Sequence, residues 1–158
     1  MRPEPVRPLH HAVEAVKNAD LVVVSPGSLY TSILPNMIIP QMDEALRQTK
    51  GKVVYVCNVM TQAGETTGYT AADHVQAIRD HIGETCVDSI VVHNEPISQH
   101  VRAIYAEENA APVVYDTDRL IDMGLEIIES DIINSSKTTL RHDTEKIAKL
   151  LYSIIDRE

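Results

Sequence analysis

Apolar residues fall into two rhythms along this chain. Some come as short unbroken runs rich in β-branched side chains: Leu21-Val22-Val23-Val24, Val53-Val54-Tyr55-Val56, Ile90-Val91-Val92 and Val113-Val114-Tyr115. Such runs predict strands buried on both faces, over residues 21–25, 52–57, 87–93 and 112–116. Elsewhere the apolar residues recur at helical spacing. Residues 11–19 predict a short helix. Residues 37–49 carry Met37, Ile38, Met42, Ala45 and Leu46, with Arg47 and Lys50 near the end, where cations favour the helix dipole, and Gly51 to stop it. Residues 71–82 bury Val75, Ile78 and Ile82, with Thr70 as N-cap, Asp73 in the first turn and Gly83 at the end. Residues 98–109 predict a further helix. Residues 118–124 predict one helical turn interrupted by Gly124, 125–128 a short strand and 129–136 a polar exit. A last helix opens at Arg141-His142-Asp143-Thr144, with Ile147, Leu150, Leu151 and Ile154 on one face. Pro3, Pro5 and Pro8 make the start an extended arm.

Strand and helix alternate throughout, without internal repeats or low-complexity segments. The expected fold is therefore α/β: a Rossmann-like three-layer sandwich with a mostly parallel sheet and helices on both faces. At 158 residues the chain is expected to be a single domain, 1–158, large enough for a real core.

Composition narrows this picture. The aromatic content is 4%, all of it Tyr, so the core is built from Val, Ile, Leu, Met and Ala. A net charge of −9 argues against nucleic acid or an anionic membrane as partner, because counterion release requires a cationic surface. No apolar run is long enough to span a bilayer and no signal-peptide pattern opens the chain, so a cytoplasmic location is expected. Cys57 and Cys86 form no metal or redox motif, and Cys57 closes an apolar strand run as a buried thiol would. His10 and His11 are adjacent and point apart, with no third ligand close in sequence, so no metal site is expected.

The candidate chemistry lies after the strands, where open α/β sheets hold their ligands. The first strand runs into Pro26-Gly27-Ser28-Leu29-Tyr30-Thr31-Ser32, and Asn36 follows. Gly27 permits close approach of a backbone or a phosphate. The hydroxyls of Ser28, Tyr30, Thr31 and Ser32 can donate to an anion, or cap the next helix. Asn36 can orient a ligand carbonyl or cap a helix. The second strand runs into a long loop, 58–70, that holds Asn58, Thr61, Gly64, Glu65 and Thr66. A loop of that length is usually functional when it is not disordered. It reads as a second wall of the same cleft, with Glu65 available to ribose hydroxyls or a divalent cation. The alternative is a loop held by its own hydrogen bonds. His74 reads first as a structural histidine, and the 141–144 segment as a helix cap whose Arg141 and His142 can otherwise reach a phosphate. No nucleophile–base–acid set, Gly-x-Ser-x-Gly elbow or His-Glu-x-x-His helix stands out, which leaves catalysis open.

Residues 25–36 and 53–75, read together, closely resemble the YvcK group of bacterial gluconeogenesis factors, a branch of the CofD-like family. The segments Val91-Val92-His93-Asn94-Glu95-Pro96 and Leu140-Arg141-His142-Asp143 resemble that group too. The namesake CofD transfers a phospholactyl group from a nucleotide-activated donor onto a deazaflavin precursor. Members of the family run to roughly twice this length, in keeping with one or two ordinary domains. Their N-terminal half opens with a Gly-Gly-Gly-Thr-Gly phosphate-binding turn that has no counterpart here, so the resemblance covers the family's C-terminal half. The resemblance implies a nucleotide or UDP-sugar ligand held by Pro26, Gly27, Ser28, Leu29, Thr31, Ser32, Asn36, Asn58, Thr61, Gly64, Glu65 and Thr66. It implies control of carbon flux into cell-envelope precursors and of cell shape. The alternative it implies is a CofD-like transferase using Mg²⁺, with Glu65 or Asp73 as the carboxylate beside the metal. A sheet without its leading strands exposes an edge, so a homo-oligomer is expected.

Overall fold

The computed structural model describes residues 6–135 and 139–156. Most of the proline-rich arm, residues 1–5, lies outside the described residues, as does the last residue of the predicted polar exit at 129–136. The central sheet has four strands in the order β1 (Leu21–Val24), β2 (Lys52–Val56), β3 (Ser89–His93) and β4 (Glu126–Ser130), and every pair is parallel. Helices cover both faces, as expected for the α/β sandwich.

Alternation along the strands explains the two layers. Val53, Tyr55, Ile90 and Val92 point to one face. There they meet α4 (Ala71–Ile82), Leu46 of α3 (Met42–Gln48) and Leu120 of α6 (Thr117–Asp122). Val54, Val56 and Val91 point to the other face, against Val101 of α5 (Gln99–Glu107) and the Ile147, Leu150, Leu151 and Ile154 stripe of α7 (Thr144–Ile155). Helix α1 (His10–Lys17) adds Val16 to the first layer.

Four predicted elements differ. First, β1 is not buried on both faces. It is an edge strand that pairs only with β2 among the described residues, and Val23 is 39% exposed. Second, the helix predicted at 37–49 is broken. A π-helical turn, Leu29–Ile33, runs into α2 (Leu34–Met37), and α3 starts afresh at Met42. Pro40 has no N–H to continue a helix, and Gln41 takes φ 78°, which turns the chain. Third, residues 112–116 are no strand. They form a strap that crosses the carboxyl ends of the strands from the α5 layer to the α6 layer, touching the sheet's loops by one bridge, Met60 to Pro112. The fourth parallel strand is the 126–130 segment instead. Fourth, the polar exit and the Arg141 segment form an antiparallel hairpin, β5 (Ile133–Ser135) with β6 (Leu140–His142).

Candidate functional site

The strand order 1-2-3-4 carries the ends of β1, β2 and β3 side by side, so the loops that follow them meet. Asn58, just past β2, faces Gly27, just past β1. Its amide accepts from the Gly27 N–H at 3.1 Å and donates to the Gly27 carbonyl at 2.8 Å. Ser28 Oγ donates to Gln62 Oε1 at 2.7 Å. Glu65 reaches the start of the π-helical turn, accepting from Thr31 Oγ1 at 3.1 Å and from the Tyr30 N–H at 3.4 Å. The Tyr30 and Tyr69 hydroxyls lie 2.8 Å apart, a contact that pushes the Tyr30 hydroxyl up to about 12.

The predicted residues thus come together in part. Gly27, Ser28, Thr31, Asn58 and Glu65 converge where the two loops touch, and Pro26 leads the chain into Gly27. Leu29 is fully buried in the core and offers no side chain to a ligand. Asn36 is turned back onto the Ser32 carbonyl, at 2.7 Å. Thr61 holds the strap: its N–H donates to the Ala111 carbonyl and its hydroxyl accepts from the Ala111 N–H. Thr66 is buried and accepts from the Gln62 N–H within its own loop. Gly64 takes φ 80° at an exposed turn, a conformation that favours glycine.

The start of α4 is fully occupied. Thr70 and Asp73 form a capping box, Ala71 N–H donates to the Val114 carbonyl and Ala72 N–H donates to Asp116. Arg119 binds Asp73 at 2.9 Å and Asp116 at 2.8 Å. Burial pushes the Asp73 carboxyl up, but the Thr70 and Arg119 hydrogen bonds outweigh it and leave it below its ordinary value. This network fixes the strap to α4 and leaves no first-turn amide of α4 for a phosphate. His74 is fully buried with Nδ1 against the Thr70 carbonyl, and burial lowers its pKa. It is a structural histidine.

A cavity of about 330 Å³ opens one strand further along, at the ends of β2 and β3 beneath the strap. Val59, Val92, Ile97 and Val113 give it apolar walls; Asn58, His93, Asn94, Glu95, Arg102 and Tyr115 supply polar groups. That combination is typical of small-molecule sites. Asn58 belongs to both the loop junction and the cavity. The cavity residues after β3 stand in the sequence reading only as a segment that resembles the family, without a ligand role. The signal for them was the third strand-end turn, His93-Asn94-Glu95-Pro96, which lies at the same sheet edge as the other two. Cys57 lines the cavity, and burial pushes its thiol up to about 12, so it is inert as a nucleophile. Asp143 caps α7 through the Glu145 and Lys146 N–H groups, while His142 packs its Nε2 3.4 Å from the Cys57 carbonyl. No three His, Cys, Asp or Glu side chains gather to hold a metal among the described residues.

The sequence matches the family described as 2-phospho-L-lactate transferase CofD over residues 1–133. It is 46% identical over 151 residues to the Gluconeogenesis factor of Halalkalibacterium halodurans, covering 96% of this chain and 47% of that protein. It is 44% identical to the Gluconeogenesis factor of Bacillus subtilis, covering 98% of this chain and 49% of that one. The fold superposes on the crystal structure of a Bacillus halodurans protein with a TM-score of 0.92 at 46% identity, over 96% of this chain and 49% of that one. A second crystal structure, of a Bacillus halodurans member of the UPF0052 family, gives 0.91 at 47% identity, over 94% and 48%. The chain spans about half the length of the curated relatives it matches.

Proposed function

This chain belongs to the CofD family, and we propose that it binds a nucleotide or nucleotide sugar at the carboxyl ends of β1, β2 and β3, and through it regulates carbon flow into cell-envelope precursors and cell shape. The observation that carries this reading is the junction of the Gly27 and Asn58 loops beside an apolar-walled cavity of about 330 Å³. The Gly27 N–H and the Ser28 hydroxyl are taken up by Asn58 and Gln62, so the group that suits a phosphate is Arg102, which stands at the cavity with no ion-pair partner among the described residues. The Thr31 hydroxyl and the Glu65 carboxylate pair across the two loops and tie them together, and the reading taken from this is a binding and regulatory role. Two relatives named Gluconeogenesis factor support the same role. A soluble, cytoplasmic setting and a homo-oligomeric state complete the proposal; no helix among the described residues is long and apolar enough to cross a membrane.

The transferase reading draws on the matching family's description alone. Of the two carboxylates suggested for Mg²⁺, Asp73 is committed to the capping box and Arg119, and Glu65 to Thr31 and the Tyr30 N–H. Among the described residues no three His, Cys, Asp or Glu side chains gather around either carboxylate, so no step is assigned to the ion.

The test is calorimetric titration with UDP-N-acetylglucosamine, on this chain and on a form extended to the full length of its relatives. Saturable binding without turnover is expected, and Gly27→Val abolishes it. Binding by neither form overturns the nucleotide-sugar reading, and product formed from a nucleotide donor and an acceptor puts the transferase first.

A further inference from the structure

His93 closes β3, at the sheet end that carries the loop junction and the cavity. The side chain is 4% exposed, and neither ring nitrogen has a hydrogen-bond partner. Leaving a buried polar group unpaired is unfavourable, so such a group calls for an explanation in a native fold. His93 forms a wall common to two hollows: the cavity beneath the strap, and a more open one bounded by Glu95, Asp131, Asn134, Asp143 and Lys146.

The groups around the ring decide its chemistry. Asp131, in the β4–β5 turn, places Oδ1 3.6 Å from Nδ1. Its carboxylate is anchored by the Lys146 ammonium of α7 and the Ile133 N–H. The Ser130 backbone, Glu95 from the turn after β3 and His142 from β6 also act on the ring. At 3.6 Å Asp131 Oδ1 makes no hydrogen bond to Nδ1, but its negative charge favours the ring proton on that nitrogen, which leaves the Nε2 lone pair free. Burial holds the His93 pKa below its ordinary value, so the ring is neutral at pH 7. A neutral ring in this tautomer is an acceptor at Nε2. It suits an O–H donor and does not suit a phosphate oxygen, which is itself an acceptor.

We propose that His93 is a ligand-contacting residue: Nε2 accepts a hydrogen bond from a hydroxyl of a sugar ring seated beneath the strap. The carbon face of that ring lies against Val59, Val92 and Val113, and the phosphate is directed toward Arg102. Both nitrogens are sealed from water in the free protein, so the side chains that cover Nε2 move aside as the ligand enters, while Nδ1 stays beside Asp131. Asp131 is a positioning residue that holds the tautomer. This inference rests on the nucleotide-sugar reading above and adds which end of the ligand lies in the cavity.

The test is nitrogen-15 NMR of the histidine rings, in this chain and in the extended form, with UDP-N-acetylglucosamine as the probe. The free protein should show His93 protonated at Nδ1, and saturation should move its Nε2 resonance and lower its pKa. Asp131→Asn should shift the tautomer balance toward Nε2–H. His93→Gln should weaken binding about tenfold, the scale of one hydrogen bond with an unmade partner, with an unchanged unfolding midpoint. Tight binding with the His93 resonances unmoved overturns the assignment of His93 and leaves the nucleotide-sugar reading standing. No binding by either form overturns both.

Discussion

Asn58 carries the β1–β2 pairing past the point where backbone pairing ends. Its side-chain amide presents a donor and an acceptor to the Gly27 carbonyl and N–H, much as a neighbouring strand would. An Asp at this position keeps the acceptor, loses the donor and sets a negative oxygen against the Gly27 carbonyl. Asn58→Asp is therefore expected to destabilise the fold by about 1–3 kcal/mol, the range for leaving a part-buried polar group unmet. Urea unfolding of the variant measures it, and a midpoint within error of the parent would remove Asn58 from the junction's stability. This pair also marks what a sequence can disclose at the scale of one residue. Asn58 and Gly27 were legible as members of two strand-end loops, because apolar runs ending in Asn or Pro-Gly signal strand ends. Their bond to each other was not legible, since it spans 31 positions and depends on the sheet order. The same holds for Gln62 with Ser28 and for Arg119 with Asp73, which no local pattern joins.

At the scale of elements, burial explains both the successes and the errors. Helix α4 was read to the residue, because Thr70, Asp73 and Gly83 act through bonds within a few positions of themselves. The 112–116 segment misled because Val-Val-Tyr has strand composition, yet its backbone bonds go to the Val59 carbonyl and the Ala71 N–H instead of a sheet. Strand propensity describes a half-buried fit, and a strap over strand ends offers that fit on one side only. The glycines separate by the same reasoning. A Cβ at Gly51 would lie 2.3 Å from the Ala19 carbonyl oxygen and 2.4 Å from Asp20 backbone atoms, where only a backbone shift makes room. At Gly27 the nearest atom to a Cβ is Ser32 Cβ at 3.4 Å, an ordinary contact. Gly51→Ala should therefore cost about 1–3 kcal/mol of stability by overpacking, while Gly27→Ala leaves the unfolding midpoint in place. Thermal unfolding of the two variants side by side checks the contrast. Equal losses would mean that Gly27 is held for its backbone conformation, which would remove the case for a ligand there.

Across the whole molecule, the sheet is covered unequally. Its two layers bury β2 and β3 except for Lys52 and His93 at their ends, whereas β1 leaves one edge of backbone N–H and C=O groups unpaired among the described residues. The four residues of β1 include no Lys, Pro or charge to blunt that edge, and Val23 stands 39% exposed beside it. A strand of this kind pairs readily with another strand, and a second copy of the chain supplies one. The net charge of −9 opposes that approach by self-repulsion. Salt shortens the reach of the repulsion to about 10 Å at 0.1 M and about 3 Å at 1 M, while hydrogen bonds and apolar contacts at the edge remain. Self-association through β1 should therefore strengthen as salt rises, the reverse of what an interface built on ion pairs shows. Sedimentation velocity over a range of salt and protein concentrations reads this directly. Dimers are expected to accumulate with salt, and Val23→Lys is expected to return the chain to monomer with its circular dichroism unchanged, since a cation at an open edge deters pairing. A chain that stays monomeric at every salt concentration, or a Val23→Lys variant that associates as well as the parent, would place the homo-oligomer contact, if one forms, away from β1.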